Sequence, residues 1–169
     1  MVTTEAQQPD PALGERDEGV AYRSLPHNDE AEQALLGAML VNNEVANRVS
    51  AFVRPEHFFQ PVHGRIYEAI LGLIERGQIA TPVTLKTYFE GDEALTDIGG
   101  AQYLARLAGS AVTIINAEDY GRTVHDLYLR RELIHLGEDV VNTAFDFHVD
   151  TPAREQVEEA EKHLYTLAE

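Results

Sequence analysis

The sequence predicts an all-α protein: a helical bundle of about six short helices followed by a long C-terminal antiparallel helical hairpin. Three observations carry this expectation. Apolar residues recur at steps of three and four through most of the chain, the spacing of one helix face. The segments so marked open at Asn, Asp, Thr or Pro, and several close at Asn or Gly, residues that start and stop helices. Strand-like alternation is missing: "QIATPVTL" is briefly β-branched, but Pro82 argues against an interior strand.

Residues 1–24 hold two prolines, two glycines and many polar side chains. They bury too little to offset ordering and read as a disordered tail. The first helix opens in "PHNDEAEQALLGAMLVNNE", with Asn28 or Asp29 as its cap. Asp29 and Glu32 have the spacing of a capping-box-like pair, and early acids suit the helix dipole. Ala31, Leu35, Ala38 and Leu40 supply much of its apolar face. Asn42-Asn43 breaks it, and 44–53 reads as a second short helix. "RPEHFF" is a turn with a helical fragment.

Pro61 suits the first position of the next helix. Val62, Ile66, Ala69, Ile70, Leu73 and Ile74 share a face, and Gly77 is the natural stop. Thr81-Pro82 starts another helix, to about residue 90. Residues 94–100 form a turn-rich connection, and "AQYLARLAGS" is a short amphipathic helix.

Asn116 then caps a much longer helix, over roughly 117–145. Tyr120, Val124, Leu127, Ile134, Val141 and Phe145 form one stripe, interrupted by Arg131 and Glu138. Leu129, Leu133, Leu136, Val140, Ala144 and Phe147 form a second. At about 100° per residue the stripes lie on roughly opposite sides, so the helix must be covered on two sides. Thr151-Pro152 starts the last helix. Its Ala153, Val157, Ala160, Leu164 and Leu167 follow alternating steps of four and three, a narrow coiled-coil-like seam. The short "DFHVDTP" link makes these two helices antiparallel neighbours. The last helix can cover one stripe only. The head can cover the other near its start, whereas Val140 to Phe147 call for a second chain or a hairpin folded flat on the core. The expected organisation is thus a tail over 1–24, a globular helical subdomain over 25–115 and a hairpin over 116–169.

The 169 residues include 29 acidic and 13 basic side chains, a net charge of −16. A nucleic-acid binder usually presents a basic face, so direct binding of DNA or RNA is disfavoured. There are no cysteines, which excludes disulfides, thiol nucleophiles and cysteine zinc sites. No apolar run reaches the roughly 18 residues of a membrane span, and the N-terminus lacks a signal-peptide plan. A cytoplasmic protein without membrane contact is expected.

The search for chemistry returns little. Gly72 and Gly77 have the spacing of a phosphate loop, but the lysine and the Ser/Thr that should follow are absent. Seven histidines invite a metal, yet His57 and His63 are separated by a turn, and His125 and His135 stand too far apart on one helix to share an ion. Solvated or core-edge histidines are the default. Glu158, Glu159 and Glu161 read as a solvated face, and no serine has a histidine–acid partner nearby in sequence. No catalytic, cofactor or metal residue is expected; the pattern is that of a binding and assembly module.

"LPHNDEAEQALLGAML" resembles the start of the N-terminal domain of the DnaB family of bacterial replicative DNA helicases, through Pro26, Glu30-Ala31-Glu32, Leu36-Gly37 and Leu40. "VRPEHFFQPVHGRIYEAILGLIERGQ", "TPVTLKTYFE", "DIGGAQYLARLA", "INAEDYGRTVHDLYLRREL" and "EEAEKHLYTLAE" follow in the family's order. Each piece is common helical text; the ordered series, from about residue 25 to 169, is specific. The resemblance implies a collar domain whose hairpins pair, as a trimer of dimers in the hexamer, and which docks the C-terminal domain of a DnaG-type primase. It implies that ATP and Mg belong to a RecA-like motor domain absent from this chain, so that the chain alone is no enzyme. A stand-alone helical adaptor or a regulator of the collar is the alternative.

Joined to the stripe argument, the resemblance assigns pairing to Leu133, Leu136, Val140, Ala144, Phe147, Leu164 and Leu167. Packing within one hairpin is the competing explanation for each, and the favoured one at Ala153, Val157 and Ala160. Primase contacts are expected near the hairpin and its tip, at Val141, Phe145, His148 and Glu155, and a weak dimer is expected of the isolated domain.

Overall fold

A computed structural model describes residues 23–111, 116–146 and 149–169 of the chain. The tail expected over 1–24 therefore lies outside the described residues up to position 22. Among the described residues there are eight α-helices and no strand. They are α1 (Asp29–Val41), α2 (Glu44–Val49), α3 (Pro61–Glu75), α4 (Pro82–Lys86), α5 (Glu93–Asp97), α6 (Ala101–Gly109), α7 (Ala117–Phe145) and α8 (Ala153–Ala168). Short 3₁₀ turns at Pro55–His57 and Thr87–Phe89 complete the head.

The head is organised around α1, which packs against α3, α6 and α7. Leu35, Leu36 and Met39 are fully enclosed, and Ala31, Ala38 and Leu40 are nearly so. The apolar surface of α1 is thus wider than the single face read from the sequence. Gly37 allows part of this closeness: a Cβ there would stand 2.2 Å from the Leu107 carbonyl oxygen of α6. Gly64 does the same for α3, where a Cβ would meet the Pro55 carbonyl oxygen at 2.6 Å.

The start of α1 differs from expectation in an instructive way. Asn28 is the cap, its side chain accepting from the Ala31 amide at 2.9 Å. Glu32 does not close a capping box with Asp29. Its carboxylate turns inward and accepts from the Phe59 and Gln60 amides and from His63 Nδ1, the last at 2.6 Å. Three donors in a buried site outweigh one reciprocal cap at the surface. His63 Nε2 meets the Tyr103 hydroxyl, so one polar chain ties α1, α3 and α6. Among the described residues no buried side-chain polar atom lacks a partner.

Other boundaries shift for local reasons. α2 ends at Val49 rather than 53, and Phe52 and Val53 close a turn onto its last carbonyl. The connection over 94–100 contains α5, capped by Asp92 accepting from the Leu95 amide. The break at Asn42-Asn43 has a tertiary use: the Asn43 side-chain amide donates to Met39 O and Ala80 O and accepts from the Ala80 amide. Gly77, at φ 72°, takes the left-handed conformation that stops α3.

α7 has two halves. Ala117, Gly121, Val124 and Arg131 are buried against the head, and beyond Arg131 the helix has no buried residue. α8 runs back along this outer half with no buried residue of its own. The hairpin therefore projects from the head instead of lying flat on the core.

Candidate functional site

The root of the hairpin is a polar anchor. Arg131 interrupts an apolar stripe, and the fold explains why. Its guanidinium donates to the Pro26 carbonyl at 2.9 Å and the His57 carbonyl at 2.8 Å, and lies over the Phe59 ring. Burial pulls its pKa below the ordinary arginine value, and the Glu32 carboxylate opposes that shift. His57 packs on the turns of α7 just before Arg131, its ring 4.9 Å from that of His125 and 4.5 Å from that of Tyr128. His57 Nδ1 accepts from the Arg54 amide, which requires the neutral ring. Burial, and then the neighbouring His125, lower the His57 pKa to about 4. The head thus grips α7 through buried groups, two of them histidine or arginine, that sequence reading left on the surface or unexplained.

Beyond the anchor, the α7–α8 pair has two open sides meeting along a seam of Val140, Gln156 and Ala160. Gln156 Nε2 donates to the Val140 carbonyl at 2.7 Å, a polar tie between the two helices. One side is an apolar groove that also uses Ala144, Ala153, Val157 and Leu164. Val157 is 65% exposed and Leu164 51%. Leu133, two turns before Val140 on the same helix face, is 51% exposed. The opposite side is lined by Leu136 and Leu167 with Glu132, Asp139, Glu155 and Glu159.

The residues singled out from the sequence are accordingly divided. Leu133, Val140, Ala144 and Leu164 belong to the apolar side. Leu136 and Leu167 are half-buried and line the other. Phe147 and His148 lie outside the described residues. Val141 and Phe145 stand exposed toward the tip, Phe145 at 86%, and Glu155 is exposed beside the acidic side. Val157 is the residue sequence reasoning undervalued. Its heptad step placed it in an intrachain seam, but α8 is rotated so that Gln156 and Ala160 take the seam.

Among the described residues there is no group of three or more His, Asp or Glu placed to hold a metal ion. Among them, no helix is long and apolar enough to cross a membrane.

Comparison with known proteins agrees with this architecture. The family described as DnaB-like helicase N terminal domain matches residues 24–126. The replicative DNA helicase DnaB of Rickettsia felis is 50% identical over 146 residues, which cover 86% of this chain and 30% of that protein. The Mycobacterium leprae protein of the same name is 33% identical over 147 residues, 87% of this chain and 24% of the relative. The chain thus spans about a third or less of the length of these curated relatives. The crystal structure of the N-terminal domain of DnaB helicase from Mycobacterium tuberculosis superposes with a TM-score of 0.76 at 33% identity, covering 85% of this chain and 99% of that one. A DnaB-like replicative helicase, described with its interactions with primase, superposes at 0.65 and 25% identity, covering 83% of this chain and 31% of that one. From its ordered motifs, its helical head and projecting hairpin, and these matches, the chain belongs to the DnaB-like helicase N-terminal domain family.

Proposed function

We propose that this domain is an assembly collar, with a head over 25–115 and a hairpin over 116–169 that pairs with the hairpin of a second copy. The observation that supports this reading is the apolar groove of Val140, Ala144, Val157 and Leu164, exposed along a projecting hairpin. A contiguous apolar face of that kind marks an interaction surface. A second hairpin, laid antiparallel, would convert two half-covered pairs into a four-helix bundle. In a full-length relative such pairs would combine as a trimer of dimers. The collar would then receive the C-terminal domain of a DnaG-type primase, with Val141, Phe145 and Glu155 near the contact. That step is supported by the helicase described with its primase interactions. ATP use and strand separation are assigned to a motor domain outside this chain's span.

Light scattering after size exclusion, over a wide concentration range, tests the reading. The wild-type chain is expected to rise toward dimer mass with concentration and to gain further mass with the primase domain. Val157→Asp or Leu164→Asp should weaken dimerisation at least about tenfold, as charges placed in a buried interface do. A chain that stays monomeric at every concentration and ignores the primase domain would overturn the proposal.

A further inference from the structure

The buried residues of α7 are Ala117, Gly121, Val124 and Arg131. Arg131 stands two turns beyond Val124 and is the outermost of them. At about 1.5 Å per residue, α7 runs on for about 20 Å past it. The two carbonyls that its guanidinium bridges belong to different segments. His57 lies in the 3₁₀ turn before α3, and Pro26 in the stretch that leads into α1. That stretch has further ties at His27. Its ring stacks on Phe59 at 4.1 Å, and its Nδ1 donates to the Leu25 carbonyl at 2.7 Å. Phe59 is also the ring beside the Arg131 guanidinium, and its amide is held by the buried Glu32 carboxylate. Residues 25–27 thus cross the root of the hairpin as a strap. Leu25 and Pro26 are half-buried and His27 is exposed. Upstream, Arg23 and Ser24 are exposed.

We propose that this strap is a latch. With Pro26 bound to Arg131 the hairpin is held at one tilt to the head; with the strap lifted, the hairpin swings about Val124. The physical case is one of leverage. Without the outermost contact, the last buried support of α7 moves inward by two turns, and about 30 Å of helix rather than about 20 Å extends beyond it. Of the two bonds at Arg131, the one to Pro26 is the releasable one. The His57 side chain is buried in the head, whereas Pro26 lies near the surface, where water meets the freed carbonyl and N–H. An exposed strap also opens more readily than the helices beneath it. The latch therefore reads the position of the N-terminal segment: an event that draws residues 1–24 away from the head lifts Pro26 and loosens the hairpin. The coupling is reciprocal, since a hairpin held at another tilt withdraws Arg131 and frees the strap. The inference goes beyond hairpin pairing and does not depend on it, because every contact in it lies within one chain and on the head side of the apolar groove.

The chain has no cysteine, so a pair of spin labels tests the latch directly. Glu68→Cys on α3 and Glu138→Cys on the outer half of α7 are exposed positions outside the contacts described above. Double electron–electron resonance on the labelled full chain, diluted into excess unlabelled chain, reads the distance from head to hairpin within one molecule. One narrow distribution is expected. Deleting residues 1–22 keeps the strap and should leave that distribution unchanged. Deleting residues 1–26 removes the Pro26 carbonyl and should raise the displaced population about tenfold, for one lost charge-assisted bond. Arg131→Ala should broaden the distribution in the same way. In that background the deletion of 1–26 should add nothing, since both changes act through one bond. His27→Gly in the full chain loosens the strap without removing it and should broaden the distribution in the same direction. Circular dichroism melts show which variants are folded, and His27→Gly carries the test where the shortened chain is not. A narrow distribution in His27→Gly and in a folded 1–26 deletion would overturn the proposal. So would equal broadening by the 1–22 deletion, or additive effects of the 1–26 deletion and Arg131→Ala. The distances are read in the same way from a monomer, so a failure of hairpin pairing leaves this test standing.

Discussion

Arg131 is the residue on which the head and the hairpin meet, and its substitution has a direct consequence. Its two charge-assisted bonds satisfy the Pro26 and His57 carbonyls at once. Arg131→Ala should lower unfolding free energy by about 2–3 kcal/mol in urea titrations, since it leaves two carbonyls without a donor. Arg131→Lys should recover part of that loss only, because a single ammonium cannot reproduce the planar fork. His57 sets a pH dependence. Its folded pKa of about 4 lies below the ordinary 6.5, so between these values the unfolded chain binds more protons. Its contribution is fully present above pH 6.5 and is lost as pH falls toward 4, at up to about 1.4 kcal/mol per pH unit. Burial opposes protonation most, followed by the neighbouring His125, Arg54 and Arg131, and Glu56 favours it. Urea midpoints at pH 7 and pH 5 should diverge for wild type and converge in His57→Asn, whose amide oxygen can still accept from the Arg54 amide. In sequence Arg131 showed only as an interruption of an apolar stripe, and His57 gave no local signal. Their partners lie 74 and 105 positions from Arg131, or 68 positions from His57 at His125, and no periodicity reports such distances.

At the scale of the element, helices were legible where a cap, a stripe and a stop agreed. α3 opens at Pro61, buries Ile66, Ile70 and Leu73 and stops before Gly77. The twin stripes placed α7 over roughly its observed range, although Asn116, expected as its cap, makes no side-chain cap hydrogen bond. The short elements were less legible. α5 has five residues and one buried side chain, Leu95, so its pattern contains no period to read. The Leu36-Gly37 step was read as a family signature; the structure supplies its physical reason, the approach of α1 to α6. Gly37→Ala should therefore cost about 1–3 kcal/mol of stability, the range for overpacking a close contact. Chemical denaturation measures it, and Gly137→Ala serves as the control, since a Cβ at Gly137 meets nothing within 4 Å.

At the scale of the whole molecule, the buried core is confined to the head and the root of α7. Among the described residues, the outer hairpin is held by the seam, the Gln156–Val140 bond, exposed ion pairs within each helix such as Arg154–Glu158, and its helical hydrogen bonds. Local stability should follow that division. Hydrogen exchange at low concentration should show slow amides in α1 and α3 and much faster ones in α8 and in α7 beyond Arg131. Raising the concentration should slow the hairpin amides and leave those of the head unchanged. Uniform protection at every concentration would contradict a hairpin that is completed by pairing.

The sequence by itself determined the helical class, the order of the longer helices and the family, and it marked two apolar stripes on α7. These are properties of spacing and capping, which act within a few residues. Only the tertiary structure decided which stripe the head takes, that Gln156 and Ala160 rather than Val157 enter the hairpin seam, and that Glu32, His57, His63 and Arg131 are buried with partners. Those outcomes depend on the rotation of one helix against another. A turn of α8 by a fraction of 100° exchanges seam for surface without altering a single local preference.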